Sequence, residues 1–146
     1  AEATAAGGGG GGPPGGVVLE SPLTSVREVV QDHWLVAYLP SFLRSVLDRF
    51  LTENLKLSFK GEDFAVNVGS PILVLHGEKD LVVPVGHGQT IHDSRSLTKA
   101  GRGRLNGVPK TDILRLPTAD HDTVMRQPEA MEKVKDFAQA VWAAAK

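Results

Sequence analysis

The sequence predicts an α/β fold with about three parallel strands flanked by helices. Three short apolar runs lack the alternation with polar residues that a half-solvated strand shows, so each is expected to be buried on both faces. Stretches with helical spacing of apolar residues separate these runs. The resulting order is strand, helices, strand, helix, strand, helix. It predicts right-handed crossovers with helices on the faces of the sheet.

The three predicted strands are 17–20, 71–76 and 111–117. The first reads "VVLE" and stops at Ser21-Pro22. The second, "PILVLH", combines β-branched residues with leucine and is the clearest of the three. The third is "TDILRLP", which ends at a proline. Each run has the length of an ordinary strand or a little less.

Helices are predicted between and after these strands. Residues 24–53 are predicted to be helical, most clearly in "SFLRSVLDRFL", whose apolar residues form one broad stripe: Phe42, Leu43, Val46, Leu47, Phe50 and Leu51. Residues 85–93 predict another helix, in which two glycines weaken the pattern. The last helix is predicted over 128–146, with Pro128 in its first turn and one apolar face made of Met131, Val134, Phe137 and Val141.

The remaining residues predict connections. Residues 1–16 are predicted to be a flexible segment, because "GGGGGGPPGG" cannot bury a core. Residues 56–70 are expected to be irregular, and 98–110 a long surface loop. The basic residues of that loop could contact phosphates or an anionic membrane: Lys99, Arg102, Arg104 and Lys110. A solvated loop is favoured, because the loop leads into the start of the third strand, at the end of the sheet opposite Asp80 and His121.

Composition excludes several classes of protein. The 146 residues suffice for one domain, and a formal net charge of -1 indicates no nucleic-acid partner. Cysteine is absent, which excludes disulfides, thiol catalysis and thiolate metal sites. The histidines His76, His87 and His92 lack the i, i+4 spacing of a helical metal site, so a metal site is not expected.

Two residues that carry acid–base chemistry follow neighbouring strands. Asp80 comes after the second strand and His121, within "TADHDTV", comes after the third. Because the carboxyl ends of parallel strands meet at one rim, we expect the carboxylate and the imidazole to lie close together. A carboxylate that accepts from imidazole Nδ1–H leaves Nε2 free to take a proton from a nucleophile.

These residues and their surroundings resemble the C-terminal part of an α/β-hydrolase-fold serine hydrolase. "PILVLHGEKDLVVP" and "ADHDTV" resemble the segments that hold the family's acid and base. "VVLESPLTSVREVV" resembles a segment of the monoacylglycerol and lysophosphatidylserine lipases and of Bem46-like proteins. The resemblance covers about residues 17–146. It implies that this range is the C-terminal portion of a hydrolase domain.

By this resemblance, Asp80 and His121 are catalytic residues of a Ser-His-Asp triad. The implied substrate is an acyl ester, either an acylglycerol or a lysophospholipid, and no cofactor is implied. The family's Gly-x-Ser-x-Gly nucleophile motif is absent from the 146 residues, so the chain alone is expected to be inactive. The resemblance suggests an internal membrane, such as the endoplasmic reticulum, and leaves open membrane association of the whole protein.

Other interpretations remain open from the residues themselves. Asp80 also fits a turn after a strand, and His121 an exposed loop between two aspartates. Ser21 is a poor substitute nucleophile, since Pro22 predicts an extended backbone there. The aromatic residues of 33–51 fit either an acyl-chain pocket or core packing: Trp34, Tyr38, Phe42 and Phe50.

A second function from another class is a non-catalytic α/β binding module. The strand 17–20 would have an unpaired edge if no other strand covers it, and exposed edges recruit other chains. This interpretation predicts self-association, or association with a partner that supplies the rest of the sheet.

Overall fold

The computed structural model describes residues 15–54 and 61–144. Its main sheet consists of three parallel strands, β1 (Val17–Glu20), β2 (Ile72–Gly77) and β5 (Thr111–Leu116), with β2 in the middle. The predicted α/β fold is confirmed, and the strand bounds agree with the sequence within one residue. The predicted flexible segment lies, up to residue 14, outside the described residues.

The helices are α1 (Val26–Asp32), α2 (Trp34–Ala37), α3 (Ser41–Asn54), α4 (Gly61–Asn67), α5 (Val85–Leu97) and α6 (Pro128–Ala144). The predicted helical region 24–53 is therefore three helices. The backbone is extended at His33, and Pro40 both lacks an amide hydrogen and restricts the residue before it. No helix among the described residues is long and apolar enough to cross a membrane.

Two predicted irregular segments contain regular structure. Part of 56–70 is α4, which begins with acidic residues in its first turn, a favourable position at a helix N-terminus. Part of 98–110 is a hairpin of β3 (Arg104–Leu105) and β4 (Val108–Pro109). Its two-residue turn has positive φ at Asn106 (48°) and Gly107 (89°), as a type I′ turn requires. Both predictions of irregular structure were wrong in these parts.

Side chains of the sheet alternate between two cores. Leu73 and Leu75 of β2 pack with Ala130 of α6 on one face, while Ile72 and Val74 pack with residues of α4 and α5 on the other. The apolar face of α6 is Ala130, Val134, Phe137 and Val141. Met131, predicted to belong to this face, is instead 59% exposed, because it lies one position around the helix from Ala130.

The cap segment, defined as α1 to α3, leaves most of its large apolar side chains exposed. Among the described side chains of α3 only Leu51 is a buried apolar residue, and Phe42, Val46 and Phe50 are exposed. Trp34 and Tyr38, which stack edge to face, are exposed as well. The core-packing interpretation of the four aromatic residues was therefore wrong. The acyl-pocket interpretation stays a prediction.

Candidate functional site

Asp80 and His121 meet at the carboxyl ends of β2 and β5. The two strands are adjacent and in register, with Gly77 opposite Leu116. Asp80 lies in the turn after β2, and His121 lies in the loop after β5. Nδ1 of His121 is 2.8 Å from Oδ2 of Asp80. The structure thus brings together the two residues that the sequence singles out, while their catalytic role stays a prediction.

The Asp80 carboxylate is buried and well supplied with donors. Its side chain has no exposed surface, and its Oδ1 accepts hydrogen bonds from the amides of Val82 (2.9 Å) and Val83 (2.8 Å). Burial alone would raise the pKa of Asp80, but the Val83 amide, His121 and Ser21 outweigh it and hold the pKa below its usual value. An ionised carboxylate can only accept, so Nδ1 of His121 must carry the proton.

The His121 side chain is 35% exposed, so solvent and other groups can reach it. Its loop is ordered by Asp120, whose carboxylate accepts from the Thr123 hydroxyl (2.7 Å) and the Asp122 amide (3.2 Å). Glu20 at the end of β1 accepts from the Met125 amide (3.3 Å) and ties this loop to the sheet. No described residue hydrogen-bonds Nε2 of His121. That nitrogen can therefore accept a proton.

Ser21 differs from the sequence prediction. Its φ is +40°, whereas Pro22 predicted an extended backbone. Its amide still donates to the Leu75 carbonyl (2.9 Å) in the sheet, and three residues later the Thr24 carbonyl accepts from the Gly61 amide (2.8 Å). Such a conformation costs about 1–3 kcal/mol and is found most often near functional sites.

The Ser21 hydroxyl is buried and meets no described partner at hydrogen-bond geometry. It nevertheless favours the charged form of Asp80 and contributes to the lowered pKa of that carboxyl. A group this close to the carboxylate that falls short of an ideal hydrogen bond acts chiefly through its dipole. Ser21 therefore supports Asp80, and no described residue around it activates it as a nucleophile.

The three histidines weighed above as metal ligands each have a different polar contact. His76 is fully buried, with Nε2 at 2.8 Å from the Val83 carbonyl oxygen. His87 is buried beside Thr24, with 2.7 Å between Nδ1 and Oγ1, and His92 contacts Asp93. Among the described residues no group of three or more His, Asp or Glu side chains is placed to hold a metal ion.

His76 also contacts this site, which was not predicted from the sequence. The signal was present, because His76 and Asp80 are four positions apart at the end of a strand. Nε2 of His76 lies 3.6 Å from Oδ2 of Asp80. Burial lowers the pKa of His76, although the Val83 carbonyl and Asp80 act in the opposite direction. His76 is therefore uncharged near neutral pH.

This lowered pKa predicts how stability depends on pH. Below the usual histidine value of 6.5 the unfolded chain binds a proton at residue 76 and the folded chain does not. The free energy of unfolding should therefore fall as the pH drops below 6.5. Urea titrations across this range should show a smaller slope for His76→Gln than for the unchanged chain. Equal slopes would refute a buried, uncharged His76.

Two apolar grooves flank the free edge of β1, one on each face of the sheet. One has a volume of about 430 Å³ and lies against α4 and α5, with Phe64 and Ile91 in its wall. The other, about 470 Å³, lies against α6, with Phe137 and Trp142 in its wall. Val18 belongs to both grooves and is 39% exposed. No described strand pairs with this edge.

Comparison with solved structures identifies the fold. An esterase of Pyrococcus furiosus superposes on 85% of this chain and 43% of its own, with a TM-score of 0.54 and 19% identity. The chain therefore has an α/β-hydrolase fold, of which the described residues contain three parallel strands. No family model matches the sequence.

Curated relatives point to one group of hydrolases. The chain is 28% identical over 128 residues to the lysophosphatidylserine lipase ABHD12 of Danio rerio, covering 85% of this chain and 32% of the relative. The Mus musculus protein of the same name is 30% identical over 125 residues, covering 83% and 30%. Protein ABHD12B of Homo sapiens is 26% identical over 129 residues, covering 86% and 34%. The chain spans about a third of the length of these relatives.

Proposed function

We propose that this chain supplies the acid–base half of a serine hydrolase that cleaves carboxylic esters. The observation that carries this proposal is the 2.8 Å hydrogen bond between Nδ1 of His121 and the buried carboxylate of Asp80. The donors around Asp80 keep it ionised, so the imidazole has one defined tautomer. Nε2, the nitrogen that must act as the base, is left free of described partners.

The proposed reaction uses His121 twice. Nε2 accepts the proton of a serine hydroxyl as the serine oxygen attacks the ester carbonyl, and Asp80 stabilises the imidazolium that forms. The same proton passes to the departing alcohol, which leaves an acyl-enzyme. A water molecule then gives a proton to Nε2 and attacks the acyl group. Nε2 returns that proton to the serine oxygen as the acyl–serine bond breaks, which releases the carboxylic acid and restores the serine hydroxyl.

The serine and the oxyanion amides are not identified in this chain. No Gly-x-Ser-x-Gly occurs in the sequence, and this motif supplies both the nucleophile and one oxyanion amide. We therefore assign these groups to polypeptide outside the 146 residues. The names of the ABHD12 relatives support a lysophospholipid as the substrate, with acylglycerols as the alternative.

A chimera tests this function. The matched 128 residues of the Danio rerio lipase are exchanged for this chain, so that the rest of the relative supplies the nucleophile. We expect the chimera to hydrolyse lysophosphatidylserine and to react with a fluorophosphonate probe. The chain alone should do neither, because the oxyanion hole and nucleophile contribute the largest part of acyl-transfer catalysis.

Three results decide between the alternatives. Labelling of the chain alone would contradict an external nucleophile and return attention to Ser21. A folded chimera without activity would contradict the proposed acid–base role. An inactive chimera, together with tight binding of this chain to the rest of the relative produced as a separate polypeptide, would favour the second candidate. That candidate is a non-catalytic binding module that uses the edge of β1 left unpaired by the described strands, and its two grooves.

A further inference from the structure

His76 is joined to Asp80 through a single residue of the turn that follows β2. The Val83 carbonyl oxygen lies 2.8 Å from Nε2 of His76, and the Val83 amide donates to Oδ1 of Asp80 at 2.8 Å. Val83 is 4% exposed, whereas its neighbours Leu81 and Val82 are 69% and 53% exposed. Val83 thus anchors the part of the turn that follows Asp80.

The tautomer of His76 follows from these contacts. A carbonyl oxygen only accepts, so Nε2 must carry a proton. Nδ1 is buried and has no described hydrogen-bond partner. If Nδ1 were also protonated, it would be a buried donor with no acceptor, which is costly. His76 therefore exists as the neutral Nε2–H form, and that hydrogen lies close to both Val83 and the Asp80 carboxylate.

The backbone of α5 packs against the His76 ring at Gly88. A methyl group at Gly88 would lie 2.5 Å from Nδ1 and 3.2 Å from Cγ of His76, so only glycine allows the helix to approach this closely. The ring has no exposed surface. With the helix on one side and Val83 on the other, the imidazole has little freedom to rotate.

We propose that His76 is a positioning residue for the Asp80–His121 pair. Through its Nε2–H it fixes the Val83 carbonyl, and the Val83 amide in turn fixes Oδ1 of Asp80. Oδ2 is thereby directed at Nδ1 of His121. The inference rests on the proposed function for its catalytic meaning. Its contacts lie entirely within this chain, so it can be tested without a nucleophile.

The test compares two substitutions in the full chain. His76→Gln keeps an N–H donor that can reach Val83, and His76→Leu fills a similar volume without a donor. The readout is the pair of ¹⁵N shifts of the His121 ring, which show which nitrogen carries the proton. We expect the glutamine variant to keep the Nδ1–H form. The leucine variant should show the mixed tautomers of an imidazole that lacks a fixed acceptor.

His87→Leu is the matched control. His87 is a buried histidine that bonds Thr24 and makes no hydrogen bond to Asp80, so its loss should lower stability without moving the His121 shifts. If His76→Leu does not fold, Gly88→Ala displaces the His76 ring without changing its chemistry and should give a partial shift. Unchanged His121 shifts in the folded leucine or Gly88→Ala variant, or equal shifts for glutamine and leucine, would overturn the proposal.

Discussion

Replacement of Asp80 by asparagine is expected to lower kcat of the chimera about 10⁴-fold, with little change in KM. The loss is expected because the two backbone amides at Oδ1 determine how the asparagine side chain is oriented. The Val82 and Val83 N–H groups require an acceptor, so the asparagine carbonyl takes that position and its NH₂ group faces His121. A donor at this point forces Nδ1 of His121 to accept, and Nε2 then carries the proton and cannot act as a base.

Asp120→Asn is the matched control for this prediction. Asp120 is an exposed carboxylate beside His121, and its side chain bonds the Thr123 hydroxyl within its own loop. Its substitution should change kcat less than tenfold. His121→Ala should reduce kcat about as much as Asp80→Asn, and the double variant should be no worse, because the two residues act as a unit. A drop of less than tenfold for Asp80→Asn would contradict the assigned tautomer.

Arg95→Met is expected to lower the free energy of unfolding by about 3–5 kcal/mol, since several buried carbonyls would each lose a partner at about 1–3 kcal/mol. The Arg95 side chain is fully buried and donates to the backbone carbonyls of Val68 (2.7 Å) and Ser70 (2.5 Å). It also donates to the carbonyl of Ala65, within α4. One guanidinium thus joins α4, the start of β2 and α5.

Two further variants test whether the loss of stability comes from the hydrogen bonds of the guanidinium. One controls for its charge, and the other for the general effect of replacing an arginine. Arg95→Lys keeps the charge, but an ammonium cannot span carbonyls that a planar fork reaches together, so most of the loss should remain. Arg115→Met breaks the half-exposed ion pair with Glu78 (3.1 Å) and should cost no more than about 1 kcal/mol. Urea unfolding followed by circular dichroism measures all three. Equal effects for Arg95→Met and Arg115→Met would contradict this account.

The strands, and the end of the sheet at which Asp80 and His121 lie, could be predicted because short local sequence patterns determine them. Non-alternating apolar runs bounded by proline define β2 and β5 within a residue, and parallel strands place Asp80 and His121 at one end of the sheet. The helix α4 was missed because seven residues are too few to show a helical period and because it begins with glycine. Gly61 is required there, since a side chain would collide with the Leu23 carbonyl.

The other features that the sequence did not predict depend on contacts between residues distant in the sequence. The positive φ of Ser21 lies between a hydrogen bond to β2 and one from Gly61 to Thr24, and no local sequence pattern predicts it. The exposure of the cap segment likewise could not be read from its apolar stripe, because the stripe shows amphipathicity and not what covers it. The spacing of His76 and Asp80 is visible in the sequence, but the link between them through Val83 exists only once the turn is folded back against β2.

The parallel arrangement also separates the two ends of the sheet. The β3–β4 hairpin leads into the beginning of β5, whereas Asp80 and His121 follow the ends of β2 and β5. Six residues of strand at about 3.3 Å each place roughly 20 Å between these ends. The Asn106–Gly107 turn is therefore a suitable position for an inserted epitope or a fluorophore, where a reporter would record folding or assembly without touching the acid–imidazole pair.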